Sequence, residues 1–319
     1  MLAVTGLVPA LGATLAAPVA AASFSQIYAF GDSLVDTGNA FALTTSILGT
    51  GIPPEPYFEG HFSNGPVLPE YLAADLGIPE TSLGFGGATS GEQGLLLFGG
   101  GPILPVPGLL SQVDQFVATS TGVDPDALYV LWAGAVDYLF AGVTNPVGPV
   151  GNITGAIDSL SNAGAQHFLV GNLPDLGNLP LPQLLGLPPD AIAGLNLVSD
   201  AHNGLLADTL STLNTSTDLS IELLDANALL RSALAGEQGF SNVSDPCTLT
   251  PSCVSDPTVQ ASFLFWDEVH PTTQAHRIVA DVALAQLQDD PVATPEPTAM
   301  VGLTVLGLLA IGGLQRWPH

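Results

Sequence analysis

Short apolar runs alternate with longer amphipathic ones along most of the chain. Residues 25–30 alternate with the period of a strand and stop at Gly31. Residues 127–132 (Ala-Leu-Tyr-Val-Leu-Trp) and 167–170 read as buried strands, and 220–224 is a further candidate. Helical patterns fall between them, at 67–76, at 153–163 and, longer, at 192–213. A last helix is predicted over 272–287, with Pro271 at its first turn. Strands alternating with helices predict an α/β fold with a mostly parallel sheet covered on both faces. No internal repeat is visible. Two stretches, 94–110 and 173–189, break the scheme: both are rich in Leu, Pro and Gly. Long apolar loops of this kind either carry function or simply pack over the sheet.

The 319 residues suffice for one large domain or two small ones with a real core. Apolar residues make up 47% and charged residues 10% of the chain, against about 25% charged in an average domain. The formal charge of −26 comes less from the 29 acids than from a near absence of bases. There is no lysine, and the arginines are Arg231, Arg277 and Arg316. Phosphate contacts need Lys and Arg, so nucleic-acid binding is excluded, and polyanionic substrates are repelled. An acidic surface that keeps a protein soluble in salty surroundings is the plainer account of the charge.

Candidate chemistry lies at the two ends of the core. Gly31-Asp32-Ser33-Leu34 follows the first strand, and Asp267-Glu268-Val269-His270 precedes the last helix. Each alone is cheap, since Gly-Asp-Ser is commonly a turn or an N-cap. Placement changes that, because an α/β sheet gathers such segments at the carboxyl ends of its strands. A serine hydroxyl is a poor nucleophile until a base takes its proton, and the base needs a carboxylate to fix its tautomer. Ser33, His270 and Asp267 fit these three roles. Asp32 and Glu268 read as turn-forming and solvent-facing. His167 starts a strand, His202 and His276 sit in helical patterns, His61 precedes a loop and His319 is terminal, so none is expected as the base.

The segment Phe30-Gly31-Asp32-Ser33-Leu34-Val35-Asp36-Thr37-Gly38-Asn39 resembles the first block of the GDSL, or SGNH, lipases and esterases, and Asp267-x-x-His270-Pro271 resembles their last. Phe62-Ser63-Asn64-Gly65-Pro66, Gly86-Gly87-Ala88-Thr89 and Asn172-Leu173-Pro174-Asp175-Leu176-Gly177 are similar to further segments of that family, in the same order. The resemblance implies a three-layer α/β/α flavodoxin-like fold and ester hydrolysis through an acyl-enzyme, with no metal or organic cofactor. It places the nucleophile at Ser33, its partners at His270 and Asp267, and the oxyanion hole at the Ser33 amide and Gly87, with Gly86 as the alternative glycine. One departure matters. Where the family's third block reads Gly-x-Asn-Asp, this chain has Gly134-Ala135-Val136-Asp137, so Val136 occupies the position of the oxyanion asparagine. Asn39 and Asn172 are candidate replacements, and Ser82 stands where another Asn is common. The expected function is cleavage of acyl or acetyl esters of a small molecule or lipid, with 94–110 and 173–189 as lining or lid of an acyl pocket. The alternative is a weakened surface relative that binds or deacetylates exopolysaccharide.

Both ends suggest export. Residues 1–22 read as a signal peptide, with small residues at 19–22 as a cleavage site. The usual basic n-region is missing, which keeps a translation start upstream of Met1 open. The catalytic domain is expected over 23–290, followed by a linker at 291–297 that carries Pro295-Glu296-Pro297. Residues 298–319 hold an apolar run and then Arg316, an arrangement that resembles the PEP-CTERM sorting tail. That resemblance implies transient membrane retention, cleavage by an exosortase-type enzyme, and a periplasmic, cell-surface or extracellular location; an ordinary C-terminal anchor is the rival reading. Cys247 and Cys253 are the only cysteines. In an exported chain they are expected to form a disulfide rather than remain free thiols, and without nearby histidines they make a poor zinc site.

Overall fold

Residues 24–99 and 101–289 are described by a computed structural model. The predicted leader, the linker and the C-terminal tail lie outside the described residues.

Five parallel strands form the main sheet: β1 (Ile27–Gly31), β2 (Glu80–Ser82), β5 (Leu128–Trp132), β6 (His167–Gly171) and β7 (Ser220–Leu224), in the order β2-β1-β5-β6-β7. β3 (Gln93–Phe98) and β4 (Gly101–Pro107) form a separate antiparallel hairpin. Alternate residues of the main strands serve opposite cores, as a period of two requires. Phe30, Tyr129, Leu131, Phe168 and Val170 pack under α3 (Leu109–Thr119), α5 (Val147–Ala163) and α7 (Pro189–Ser216). Ile27, Ala29, Leu128, Val130 and Leu169 pack under α2 (Leu68–Leu76) and α11 (Thr273–Asp289). Each large side chain buried in this way contributes about 1.5–3 kcal/mol. The result is the three-layer α/β fold expected, with β5 buried along its whole length.

The remaining helices cluster at the carboxyl ends of the strands. They are α1 (Asn39–Leu48), α4 (Ala135–Leu139), α6 (Pro180–Leu184), α8 (Ala226–Leu234), α9 (Pro251–Val254) and α10 (Pro257–Gln260). Helices after β1 and before β5 cover opposite faces, so the strand order reverses between these two strands. A crevice opens there in doubly wound sheets.

Three expectations need correction. Residues 94–110 are not a loop, because most of them form the β3–β4 hairpin and the rest begin α3. The last helix starts at Thr273, leaving Pro271 in the turn before it. The patterns at 153–163 and 192–213 extend to 147–163 and 189–216, since Pro189 is tolerated in a first helical turn.

Candidate active site

The nucleophile turn is held by its backbone. At Gly31 φ is +144°, and a Cβ there would lie 1.9 Å from the Trp132 carbonyl oxygen, so only glycine lets β1 end this close to β5. Gln112 on α3 locks that strand end, accepting from the Gly31 N–H (2.8 Å) and donating to its carbonyl (2.9 Å). The Asp32 carboxylate accepts the Leu34 N–H at 3.0 Å, which tightens the turn and leaves Ser33 lining the crevice.

The second half arrives from 237 residues away. His270 Nε2 lies 2.8 Å from Ser33 Oγ, and His270 Nδ1 lies 2.7 and 2.9 Å from the two oxygens of Asp267. Asp267 is buried yet also accepts the N–H groups of Val269 (2.9 Å) and His270 (2.7 Å) and the Tyr57 hydroxyl (2.8 Å). Burial opposes its ionisation, but the imidazole and these hydrogen bonds prevail and hold its carboxyl below the ordinary value. An ionised carboxylate only accepts, so Nδ1 carries the ring proton and the neutral ring offers Nε2 to the serine hydroxyl. Burial likewise opposes protonation of His270. The Asp267 charge overrides this, and His270 titrates above the ordinary histidine value.

The sequence block at 62–66 explains how the loop bearing His270 stays in place. Ser63 Oγ donates to the Pro271 carbonyl (2.9 Å), Asn64 Oδ1 accepts the Thr273 N–H (2.8 Å), and the Phe62 ring lies 5.2 Å from the imidazole. On the other side Cys247 and Cys253 are joined in a disulfide. The N–H groups of Cys247 and Thr248 donate to the carbonyls of Phe265 and Trp266, just before Asp267.

Gly87 lines the same crevice as Ser33. Its φ is +84°, and a Cβ there would meet the Leu95 carbonyl oxygen at 2.4 Å. The Gly86 N–H is taken by Asp36 at 2.8 Å, whereas no acceptor takes the N–H of Ser33 or Gly87 among the described residues. Of the two glycines, then, Gly87 has the amide left over. Asp36 also accepts the N–H groups of Gly38 (2.9 Å) and Asn39 (2.6 Å), so one buried carboxylate ties the nucleophile segment to the glycine loop. Asp137 secures the far end of that loop through the N–H and hydroxyl of Ser90, both at 2.8 Å.

Val136 lines the crevice and is 8% exposed. Neither candidate asparagine lines the crevice. Asn39 gives its amide to the carbonyls of Ser82 (3.0 Å) and Gly84 (2.9 Å), and Asn172 gives its amide to Asp225 (2.8 Å). Asn172 and Asp175 are scaffold: Asn227 donates to the carboxylate of Asp175, and Arg231 grips it with two nitrogens.

Asp32 forms a turn, as expected, but it is buried rather than solvent-facing, and desolvation pushes its carboxyl up to about 7. Glu268 is half-buried and lines the crevice. His202 and His276 are buried in helices, with burial pushing them down to about 4 and about 3, so both stay neutral. His61 Nε2 lies 3.1 Å from Glu70, and His319 lies outside the described residues. Tyr57, Asp36, Gln112 and Ser90 support the site without having been singled out from the sequence. Among the described residues no group of three or more His, Cys, Asp or Glu side chains is placed to hold a metal ion.

The crevice is a cavity of about 1120 Å³ with a largely apolar lining, to which β3, α6, α8 and the loop after β6 contribute leucines. Fold and site together define a three-layer α/β protein with a serine at the end of its first strand, hydrogen-bonded to a histidine. The profile of the "GDSL-like Lipase/Acylhydrolase" family matches residues 27–283, and the chain belongs to that family. It is 29% identical to a thermolabile hemolysin of Vibrio parahaemolyticus, over 82% of this chain and 63% of that one. It is 28% identical to a phosphatidylcholine-sterol acyltransferase of Aeromonas hydrophila, over 82% of this chain and 89% of that one. A solved structure of a lipolytic G-D-S-L protein from Veillonella parvula is similar over 82% of this chain and 96% of that one, at 17% identity and a TM-score of 0.47.

Proposed function

We propose that the chain is an exported serine esterase that cleaves acyl esters through a Ser33-His270-Asp267 triad. The observation that carries this reading is the hydrogen-bonded series from Ser33 Oγ to His270 to Asp267, with Ser33 at a leucine-lined cavity. His270 Nε2 takes the hydroxyl proton as Ser33 Oγ attacks the ester carbonyl carbon. The oxyanion is received by the N–H groups of Ser33 and Gly87. Collapse breaks the bond to the alcohol, which leaves with the proton held on His270, and acyl-Ser33 remains. Water then attacks the acyl-enzyme, giving its proton to His270, and the acid departs as Ser33 recovers its hydrogen.

The name of the Aeromonas relative, a phosphatidylcholine-sterol acyltransferase, favours lipid esters, and the apolar cavity favours an acyl chain over a glycan. The disulfide supports an oxidising compartment. Among the described residues no helix is long and apolar enough to cross a membrane; retention and exosortase-type processing rest on residues 291–319.

The test is hydrolysis of p-nitrophenyl esters by the wild type and Ser33→Ala, alongside covalent labelling by a fluorophosphonate. Loss of turnover by on the order of 10⁴–10⁶-fold, together with loss of labelling, is expected; turnover that survives in Ser33→Ala refutes the reading. Val136 favours a second reading, a weakened relative that binds surface glycan. Rapid labelling of the unmodified protein counts against it.

A further inference from the structure

The cavity has an apolar mouth as well as an apolar interior. Nine large hydrophobic side chains are exposed among the described residues, and five of them also line the cavity: Leu95, Phe140, Leu184, Leu185 and Leu249. They come from four separate segments: β3, the end of α4, the α6 turn and the loop closed by the Cys247–Cys253 disulfide. Their exposures run from 42% to 65%, so each is a rim residue rather than part of the interior. Scattered exposed hydrophobic residues need no explanation, but several that are exposed and also line one cavity mark an interaction surface.

The charge decides what that surface fits. The chain carries −26, and both described arginines are committed: Arg231 to Asp175 and Asp200, Arg277 to Asp75 and Asp281. An anionic surface is therefore repelled and finds no uncommitted arginine among the described residues to hold it, so a lipid surface without net negative charge is the one that fits. Behind the rim, apolar lining continues to Ser33 through a volume above the roughly 300–1,000 Å³ of ordinary small-molecule pockets. We infer that the rim docks on a zwitterionic phospholipid surface, so that an acyl chain passes from the lipid layer into the cavity without crossing water. The inference rests on the esterase reading above and adds the physical state of the substrate.

The experiment is hydrogen exchange on the full chain carrying Ser33→Ala, with and without phosphatidylcholine vesicles. Slower exchange at residues 181–186 and 247–250 is expected, and much less of it with vesicles rich in phosphatidylserine. Reading those segments separates the rim from any vesicle binding by the apolar C-terminal residues. In the active chain, Leu184→Ser/Leu185→Ser should lower the ratio of vesicular to monomeric ester turnover about tenfold, the factor that about 1.4 kcal/mol of lost apolar burial represents. Unchanged exchange at both segments, or an unchanged turnover ratio in the folded double variant, overturns the inference. So does protection that rises with protein concentration in the absence of vesicles, which would make the rim an interface between copies of the chain. A wild type that hydrolyses monomeric ester but shows no vesicle protection leaves the esterase reading standing and removes only the docking surface. A wild type inactive on every ester removes both.

Discussion

Replacing Val136 by Asn tests how the oxyanion is held. Val136 sits in the first turn of α4, lines the cavity with Ser33 and Gly87, and is almost wholly buried. The asparagines nearest the matched blocks spend their amides on Ser82, Gly84 and Asp225. An added side-chain donor at an oxyanion is worth about 10²–10³ in turnover, or roughly 2.7–4 kcal/mol. The ground state bears the opposite cost, because a buried amide without a partner destabilises the fold by about 1–3 kcal/mol. Val136→Asn is therefore expected to raise kcat by about 10²-fold while lowering Tm by several degrees, at about 2–4 °C per kcal/mol for a domain of this size. Turnover of p-nitrophenyl butyrate, the rate of fluorophosphonate labelling and thermal unfolding by circular dichroism read all three effects. A folded variant with unchanged kcat and unchanged labelling would show that the oxyanion is met elsewhere, and the account of the donor set would fall.

In the proposed mechanism His270 must be neutral to act, and its pKa lies above the ordinary value, so kcat/KM should fall as pH drops through a midpoint above about 6.5; a midpoint below 6 would contradict the ion pair with Asp267. Tyr57→Phe removes the hydroxyl donated to Asp267, leaving more carboxylate charge for the imidazole. The acid limb should move to higher pH and kcat/KM fall roughly tenfold, given about 1.5 kcal/mol for a charge-assisted bond; an unmoved limb would mean that Tyr57 only packs. Asp32→Asn keeps an acceptor for the Leu34 N–H but removes a charge that raises the His270 pKa, so the acid limb should move to lower pH. Asp32 titrates near 7 when folded, so the native state binds more protons than the unfolded chain from about pH 4 upward, and stability declines as pH rises to about 7. In Asp32→Asn that decline should flatten in urea titrations across the same range.

The parts of the molecule legible in the sequence are those whose signal is local. Four of the five sheet strands announce themselves as short apolar runs, and the Ser33 and His270 segments as motifs confined to a few residues. The β3–β4 hairpin was hidden by Pro102, Pro105 and Pro107, which ordinarily argue against a strand. They are tolerated because each strand of a two-stranded ribbon has one unpaired edge, where a missing N–H goes unnoticed. Short β2 escaped because three edge residues show no periodicity. The supports of the site are a different case. Tyr57 reaches Asp267 across 210 residues, Gln112 reaches Gly31 across 81, and Asp36 reaches Gly86 across 50. No spacing along a chain encodes such pairings, since only the packed sheet brings their carriers together. Asp32 misled for a related reason. Its residue type and turn suit a surface, but the end of β5 and the turn at Gly84 pack against it and leave it 2% exposed.

The missing donor and the apolar cavity bear on the same energetic question. A valine that lines the cavity adds apolar surface that would meet an acyl group as well before bond formation as after it, and binding shared by both states lowers KM without raising kcat. An asparagine there would act mainly after charge develops. On the proposed mechanism, valine at position 136 would trade transition-state stabilisation for ground-state acyl binding. The two donors of the proposed oxyanion hole are backbone N–H groups whose loops are fixed by buried carboxylates, Asp36 beside Gly86 and Asp137 beside Ser90. Fixed dipoles in a water-poor site gain strength from the low dielectric and need no reorganisation during the reaction. If rate was given up at position 136 for hold on an acyl chain, Val136→Asn must raise KM together with kcat, most visibly on long-chain esters. A rise in kcat at constant KM would mean that the valine contributes nothing to binding, and that the cavity holds its substrate without it.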